Sequence, residues 1–587
     1  MDFRDTYLTI KELFSPYRKN IIIISIIMGI TSLCGFVNPW VTKQLIDIGI
    51  MQSEFSETIR YVALLAIIFL VQQLFSLVQY YYFNDISVKI PYDLNNKACK
   101  HILLIKIKYF KEKNFSEVVT ELFQDIANIS SLANIQFLTS FVALFKLVAG
   151  IVALLFINWK LAIIIIIAIP VRALFSSILF MKQESIYKVI MKVQSKFSAW
   201  LGDGISGIAE IKVFGIIDKK LTNLKAILEE SKKLKSRLMF FQYIDSMLSS
   251  TISTCFTCLL YLFGALMIFK DELTLGSLVS FISYSSIVFE PITIITYLAT
   301  QLSTIKPALE RFHKFIDSES EIDTPDSVML PSSMDIEHID FNNVSLVYDE
   351  EKTLDQVNFT INKGEKVAII GFNGSGKTSI INLLLRFYEP TEGSITVNGC
   401  DIKSYTFESY RSIWSVMAQN NYLFNDTIRN NINIYGDLSE DDIVCSCKKA
   451  EAYSFIQKLP EKLDTRIGYN GSKLSGGEKQ KVALARALAR KNTKVLILDE
   501  ATSNYDYHSE QIFNSEIISS NRYDITILIT HRPEVLKRLD KIIYLEKGKV
   551  VSIGTFDEIY KSQDNFRDMV LNCYEEEKKN AFYAVSN

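Results

Sequence analysis

Two short segments in the second half of the chain carry residue types suited to binding and cleaving a polyphosphate. Residues 371–378 read Gly-Phe-Asn-Gly-Ser-Gly-Lys-Thr and fit the pattern G-x-x-x-x-G-K-[ST]. An apolar strand precedes them and a helical run follows, so backbone amides and a helix N-terminus surround phosphate oxygens. Lys377 supplies a positive charge and Thr378 a hydroxyl for Mg²⁺. The residues predicted to bind ATP here are Gly371, Phe372, Asn373, Gly374, Ser375, Gly376, Lys377, Thr378 and Ser379.

The second segment is an apolar strand at residues 495–498 that ends in Asp499 and Glu500. Successive side chains of a strand point to opposite sides. We therefore expect Asp499 to hold the metal ion, while Glu500 turns toward the γ phosphate as the base for an attacking water. Alone, two acids at a strand end are also typical of a solvated turn. Paired with the phosphate loop, they predict Mg²⁺-dependent ATP hydrolysis.

Between these segments, residues 474–480 read Leu-Ser-Gly-Gly-Glu-Lys-Gln. With this third motif the sequence resembles the ABC transporters, and the resemblance covers essentially the whole chain. It implies that residues 474–478 form the family's signature motif, which acts on the ATP held by a partner chain. The predicted signature residues are Leu474, Ser475, Gly476, Gly477 and Glu478.

The same resemblance implies roles for four further residues. Gln419 matches the loop glutamine that senses the metal and contacts the membrane domain, and Asp506 matches the acid of the D-loop. His531 matches the switch histidine, and Tyr348 lies where the family stacks an aromatic ring on adenine. The predicted metal ligands are thus Thr378, Gln419 and Asp499, and the predicted catalytic residues are Glu500 and His531.

The chain has one phosphate loop and one signature, so the resemblance implies a dimer with two composite ATP sites as the minimum working unit. Because Glu500 and the signature are intact, a homodimer is favoured over a pair with a different half-transporter. Closure of the two nucleotide domains on ATP, and their release after hydrolysis, is then expected to drive alternating access of a membrane cavity.

Composition indicates membrane spans joined to a soluble part. The 587 residues are 49% hydrophobic and 22% charged, and the net charge of −2 gives no reason to expect nucleic acid as a partner. Apolar runs long enough to cross a bilayer are predicted at 20–48, 57–82, 133–157, 159–180, 245–269 and 275–300. The fold class is therefore a six-span α-helical membrane domain with long cytosolic extensions, followed by an α/β P-loop ATPase domain. The predicted divisions are a membrane domain at 1–317, a linker at 318–334, a nucleotide-binding domain at 335–575 and a tail at 576–587.

Lysines and arginines are concentrated between spans two and three and between spans four and five, whereas the other loops are short or acidic. The positive-inside rule then places both termini in the cytoplasm. A composition rich in isoleucine, lysine and asparagine suggests an AT-rich bacterial genome. We therefore expect a multi-pass protein of a bacterial plasma membrane, in contact with membrane lipid.

Two cations lie deep in predicted spans, Lys146 in span three and Arg172 in span four. A charge at that depth is costly unless it faces a partner or water. One interpretation is an internal ion pair, with Glu290 or Asp245 as the partner. The other is a water-filled cavity that prefers anionic or peptide-carboxylate cargo.

Three departures from the family pattern leave the details of coupling open, and none removes a phosphate-binding or catalytic group. The signature ends in Glu478, a variant associated with peptide and bacteriocin exporters; Tyr469 stands where a glutamate is usual; and the D-loop at 503–506 reads Ser-Asn-Tyr-Asp. The architecture predicts ATP-driven export of a peptide, drug or lipid. A lipid flippase, an importer on an exporter fold, and an ATP-gated channel or sensor remain the alternatives.

Overall fold

A computed structural model describes residues 11–112, 115–348, 351–500, 513 and 518–572. The chain divides into two compact units, residues 1–105 with 109–320, and residues 106–108 with 321–587. Asp506 and the predicted tail at 576–587 lie outside the described residues.

The first unit is helical. Within the described residues, its six long helices are α1 (Arg18–Gln44), α2 (Phe55–Leu104), α5 (Ile135–Ile157), α6 (Trp159–Ser206), α8 (Ile217–Ile268) and α9 (Leu275–Ile316). Shorter helices lie between them: α3 (Lys108–Glu112), α4 (Phe115–Ser130) and α7 (Ile208–Val213). A π-helical turn, Leu45–Ile50, extends α1.

The long helices exceed the thickness of a bilayer. Helix α2 has 50 residues and α8 has 52, which corresponds to about 75 Å at a rise of 1.5 Å per residue, against about 30 Å of hydrocarbon. Four segments are apolar and long enough to span a membrane over one stretch of their length: Lys11–Ile50, Phe55–Leu104, Trp159–Ser206 and Ile217–Ile268. Shorter apolar segments lie at Phe145–Ile157 and Leu275–Phe289.

Polar side chains fix the ends of these helices. The Asn158 side chain accepts a hydrogen bond from the Leu161 amide and begins α6. At the start of α9, Asp47 accepts from the Gly276 amide at 2.9 Å and from the Thr274 hydroxyl at 2.7 Å. These contacts attach the end of the first helical segment to the start of the last.

The second unit contains two sheets. The first has the order β2-β1-β4-β5, with β1 (His338–Tyr348), β2 (Glu351–Asn362), β4 (Glu392–Val397) and β5 (Cys400–Asp401). The second sheet has the order β10-β9-β3-β8-β7-β6. Its parallel strands are β3 (Lys366–Gly371), β6 (Trp414–Met417), β7 (Val495–Asp499), β8 (Ile525–Ile529) and β9 (Lys541–Glu546). The edge strand β10 (Lys549–Gly554) is antiparallel to β9. Helices of this unit include α10 (Lys377–Leu384), α11 (Phe407–Ser412), α12 (Ile428–Ile432), α13 (Glu440–Lys449), α14 (Tyr453–Ile456), α15 (Gly476–Ala489), α16 (Pro533–Leu536) and α17 (Phe556–Ser562).

The parallel sheet is buried on both faces, which explains its continuous apolar runs. Alternate residues of each central strand belong to different core layers. In β7, Leu496 and Leu498 pack with α15, whereas Val495 and Ile497 pack in the layer that contains α10. Asp499 follows in the same alternation, so it lies on the side of the sheet where α10 begins. The sheet thus brings the end of β7 to the start of α10.

Candidate nucleotide-binding site

The loop between β3 and α10 has a backbone that requires glycine. Gly374 and Gly376 adopt φ of 81° and 104°, values that L side chains rarely tolerate. A Cβ on Gly371 would lie 2.2 Å from the Leu545 carbonyl oxygen, and one on Gly376 would lie 2.6 Å from Leu354 Cδ2. The loop therefore packs closely against Leu545 and Leu354, and its glycines leave the backbone uncovered by side chains where α10 begins.

Two side chains of the loop have their polar atoms at this helix start. Lys377 Nζ donates to the Gly371 carbonyl at 2.6 Å and to the Phe372 carbonyl at 3.1 Å. Ser375 is buried, and its hydroxyl has no hydrogen-bond partner among the described residues. A buried hydroxyl without a partner beside a half-buried ammonium is an environment suited to an anion.

The two acids at the end of β7 differ in their surroundings. Asp499 is buried, and this burial, followed by the charge of Glu500, raises its pKa to about 6. Glu500 has φ of 51°, and its amide donates to the Ile529 carbonyl at 2.9 Å. Its carboxylate accepts from Gln419 Nε2 at 3.0 Å. The left-handed backbone conformation at Glu500 ends the strand, so the side chains of Asp499 and Glu500 leave it in different directions.

Four of the predicted residues interact electrostatically as one group. Burial lowers the pKa of Lys377, against the charges of Glu500 and Asp499. Burial also lowers the pKa of His531, Lys377 acts in the same direction, and Glu500 opposes both. His531 is therefore a neutral imidazole at pH 7, near both a cation and an acid. The loop lysine, the acids and the histidine come together in one region of the fold.

The signature is organised by a capping box. Ser475 precedes α15, and its hydroxyl accepts from the Glu478 amide at 3.3 Å. The Glu478 carboxylate in turn accepts from the Ser475 amide and hydroxyl, each at 2.8 Å. The sequence analysis predicted Glu478 as a signature residue and noted it as a departure from the family pattern, but did not identify it as a helix cap. The spacing Ser-x-x-Glu before a helix is a recognisable capping signal, and it was missed.

Tyr348, the remaining predicted ATP contact, and the three predicted metal ligands all lie within the described part of the nucleotide unit. Tyr348 ends β1 and meets the ring of Tyr388 edge-on, with centroids 4.8 Å apart. Thr378, Gln419 and Asp499 offer hydroxyl, carboxamide and carboxylate oxygens, the donor types that Mg²⁺ prefers. The raised pKa of Asp499 fits this role, because a nearby cation stabilises a carboxylate that burial otherwise disfavours.

The two membrane cations have different environments. Arg172 is 7% exposed and donates to the Phe289 carbonyl at 3.0 Å and to the Ser253 hydroxyl at 3.5 Å. Lys146 lines a cavity of about 270 Å³. The side chain of Glu290, one predicted partner, lies outside the described residues.

Comparisons with known proteins agree with this architecture. The family described as ABC transporter transmembrane region matches residues 21–292, and the family described as ABC transporter matches residues 354–503. The ABC transporter ATP-binding protein YfiC of Bacillus subtilis is 30% identical over 97% of this chain and 95% of its own length. The chain belongs to the ABC transporter family.

Two further comparisons concern this ABC transporter as a whole. An ATP-dependent lipid A-core flippase of Francisella novicida is 28% identical over 82% of each chain. The structure of a bacterial Atm1-family ABC exporter with ATP bound has a TM-score of 0.83 at 23% identity, covering 94% of this chain and 98% of that one. The predicted fold class, a helical membrane domain followed by an α/β ATPase domain, is confirmed. The chain is a multi-pass half-transporter of the type I exporter kind, and ATP hydrolysis coupled to transport is its confirmed activity.

Proposed function

We propose that this ABC transporter exports its cargo as a dimer of identical chains, with two ATP sites that each combine the phosphate loop of one chain and the signature of the other. The proposal rests on one observation: within one chain, the predicted hydrolytic residues interact with one another, and the signature serine bonds elsewhere. Lys377, Asp499, Glu500 and His531 interact with one another, whereas the side-chain hydrogen bonds of Ser475 go to Glu478. The side-chain hydrogen bonds of the signature serine are thus made with its own capping box, which supports a role for this serine at the ATP site of a partner chain.

Each residue then has a chemical role in hydrolysis. The loop amides, Lys377 and Ser375 bind the phosphate oxygens, and Tyr348 offers its ring to the base. Glu500, oriented by Gln419, accepts the proton of a water that forms a bond to the γ phosphorus while the bond to the bridging oxygen breaks. Thr378, Gln419 and Asp499 would hold Mg²⁺, which supplies charge neutralisation when bound. Neutral His531 donates or accepts one hydrogen bond beside the γ phosphate.

The cargo and direction of transport are part of the proposal. A type I exporter architecture supports outward movement across a bacterial plasma membrane, with both termini in the cytoplasm. Lipid translocation is a second candidate, supported by the relative from Francisella novicida, which is named for flipping a lipid.

The test is ATP-dependent uptake into inside-out vesicles that contain the full chain, with labelled peptides, drugs and lipids as probes. We expect accumulation of one probe class with the parent chain and none with Glu500→Gln. ATPase activity without accumulation of any probe would contradict export and favour an importer or a gated channel. Accumulation with Glu500→Gln would contradict the role of Glu500.

A further inference from the structure

The predicted linker between α9 and β1 is bound to the nucleotide unit along part of its length. The Asp323 carboxylate accepts a hydrogen bond at 2.8 Å from the amide of Phe407, the first residue of α11. Further along, the Leu330 amide donates to the Ser409 hydroxyl of the same helix at 3.0 Å. Residues 321–330, here called the tether, therefore lie along α11.

The tether begins with an ion pair. Both carboxylate oxygens of Glu321 accept hydrogen bonds from Arg411 of α11, one from Nη1 at 2.5 Å and the other from Nη2 at 2.8 Å. The side chains of Arg411 and Glu321 are only 28% and 15% exposed. A bidentate pair between an arginine and a carboxylate fixes orientation as well as distance. Glu321 thus holds the guanidinium in one plane.

The same guanidinium reaches the C-terminal end of α10. Arg411 Nε donates to the Leu385 carbonyl and Nη2 donates to the Arg386 carbonyl, each at 3.0 Å. The hydroxyl of Tyr410, which is buried, donates to the Leu384 carbonyl at 2.7 Å. Carbonyls at the end of a helix have no donor within the helix itself. Two neighbouring residues of α11 therefore supply the donors for the end of α10.

The backbone completes this helix end. Arg386 has φ of 53°, and its amide donates to the Leu383 carbonyl at 3.0 Å, while the Phe387 amide donates to the Asn382 carbonyl at 2.9 Å. These two bonds form a Schellman motif. The motif uses the earlier carbonyls of the last turn, and α11 bonds the later ones. The position of the end of α10 is therefore set by α11.

Helix α10 connects this end to the phosphate loop. It has 8 residues, Lys377–Leu384, which correspond to about 12 Å at a rise of 1.5 Å per residue. A helix this short moves as one body, so a shift at its C-terminal end displaces Lys377 and the amides at its start. The route from Glu321 to the phosphate loop thus consists of one ion pair, one bonded helix end and one rigid helix.

We propose that Glu321 and Arg411 are positioning residues for ATP, because they fix the C-terminal end of α10 and thereby the start of the same helix. Both act through α10 rather than on the phosphates themselves. Glu321 is also the residue at which the chain enters the second unit after the membrane helices. The inference rests on the proposed nucleotide site, since it takes the start of α10 as the place where phosphate binds, and it gives the predicted linker a part in ATP binding.

The experiment measures KM for ATP, kcat and the unfolding temperature of the full chain in nanodiscs. Glu321→Ala removes the carboxylate that orients Arg411, so α10 should shift while the residues that follow β7 stay in place. We expect KM for ATP to rise about two- to tenfold, with kcat within about twofold of the parent, because the substrate and the transition state lose the same phosphate contacts. Glu321→Gln retains an acceptor oxygen and should show a smaller rise.

Two further variants show whether the pair acts as a unit, and a third is the matched control. Arg411→Lys keeps the charge but lacks the planar fork, so it should also raise KM. Adding Glu321→Ala to Arg411→Lys should change KM little, because the interaction is already broken. The control is Asp335→Ala, which removes an acid just beyond the tether. Asp335 pairs with Lys363 and Lys494, which precede β3 and β7, so KM should equal that of the parent.

Three outcomes would overturn the inference. An unchanged KM in Glu321→Ala, whatever its unfolding temperature, would assign the pair to the stability of the fold alone. Fully additive effects in the double variant would mean that the two residues act separately. An equal rise in KM for Asp335→Ala would show that any lost ion pair in this unit weakens ATP binding.

Two more variants keep the test decisive. If Glu321→Ala does not fold, Asp323→Ala replaces it, because it removes the acceptor for the first amide of α11; the same rise in KM is expected, and an unchanged KM counts against the proposal. Lys377→Met tests the nucleotide site itself with a fluorescent ATP analogue. Parental affinity of Lys377→Met would contradict the proposed site. Weak binding by Lys377→Met together with an unchanged KM in Glu321→Ala would contradict only the role of the tether.

Discussion

The nucleotide unit and the membrane unit position their polar residues by different means. In the nucleotide unit, the predicted ATP-site residues come directly after strand ends or glycine turns. The backbone there is constrained, since Gly376 has φ of 104° and Glu500 has φ of 51°. In the membrane unit, polar residues lie within continuous helices, and only the neighbouring helices decide what each side chain contacts. Arg172 shows this, because its hydrogen bonds go to Ser253 of α8 and Phe289 of α9.

This difference shows which kinds of sequence motif predict function. A motif that constrains the backbone also constrains the position of its side chains, so phosphate chemistry is legible in sequence. A lone cation in a helix carries no such constraint, and its role depends on tertiary contacts. Substitutions in the two units should therefore produce different kinds of loss, catalytic in one and structural or ligand-specific in the other.

The largest expected effect is on catalysis at the end of β7. Glu500→Gln keeps the size of the side chain and removes the proposed base, so we expect ATP turnover to fall by about 100- to 10,000-fold, while ATP binding persists. Turnover of the full chain in nanodiscs, with binding of a fluorescent ATP analogue as the control, measures both. Near-parental turnover would mean that a motif at a strand end does not define the base.

Arg172 provides the contrasting test in the membrane unit. Arg172→Met removes the guanidinium that donates to the Phe289 carbonyl, so we expect a loss of about 1–3 kcal/mol of stability. Lys160→Met, which breaks an exposed ion pair with Glu272, should cost less than about 1 kcal/mol. Thermal loss of the dimer peak on size exclusion compares them. A stability loss for Arg172→Met no larger than that for Lys160→Met would contradict a structural role of Arg172.

The raised pKa of Asp499 predicts a pH dependence confined to the nucleotide unit. Its pKa is about 6 and its ordinary value is 3.8, so the folded protein takes up this proton first as the pH falls. The proposed Mg²⁺ site requires the ionised carboxylate, so Mg²⁺-dependent ATP binding should weaken below pH 6, by about tenfold per pH unit. By the same linkage, protonation stabilises the fold at low pH, and this contribution is lost as the pH rises through 6.

Titration of a fluorescent ATP analogue with Mg²⁺ between pH 5 and 8, in the Glu500→Gln background, measures this dependence. Asp499→Asn serves as the control, because it should bind weakly at every pH and lose the transition near 6. A transition that persists in Asp499→Asn would assign the titration to a different group.

The smallest expected effect concerns the capping box at the signature. Glu478→Ala removes the acceptor for the Ser475 amide and should cost about 0.5–2 kcal/mol of stability, together with a higher KM for ATP. Glu478→Gln retains a carbonyl acceptor and should restore most of both. Equal KM values in all three proteins would show that Ser475 needs no positioning by residue 478.

Much of the nucleotide site was predictable, because its residues lie in contiguous motifs whose spacing encodes a turn or a cap. The hydrogen bond from Gln419 to Glu500 was not, since it joins residues 81 positions apart across the sheet. The hydrogen bonds of Arg172 were not predictable, because Ser253 and Phe289 reach it from other helices.

The central claim, that each ATP site combines two chains, is tested most directly by disulfide trapping. One tagged chain carries Asn373→Cys and a differently tagged chain carries Ser475→Cys, both with Glu500→Gln and with the native cysteines replaced by serine. With ATP and an oxidant, we predict a covalent dimer that contains both tags and that neither variant forms alone. A double variant that forms the link within one chain, with no covalent dimer in the mixture, would contradict the composite site.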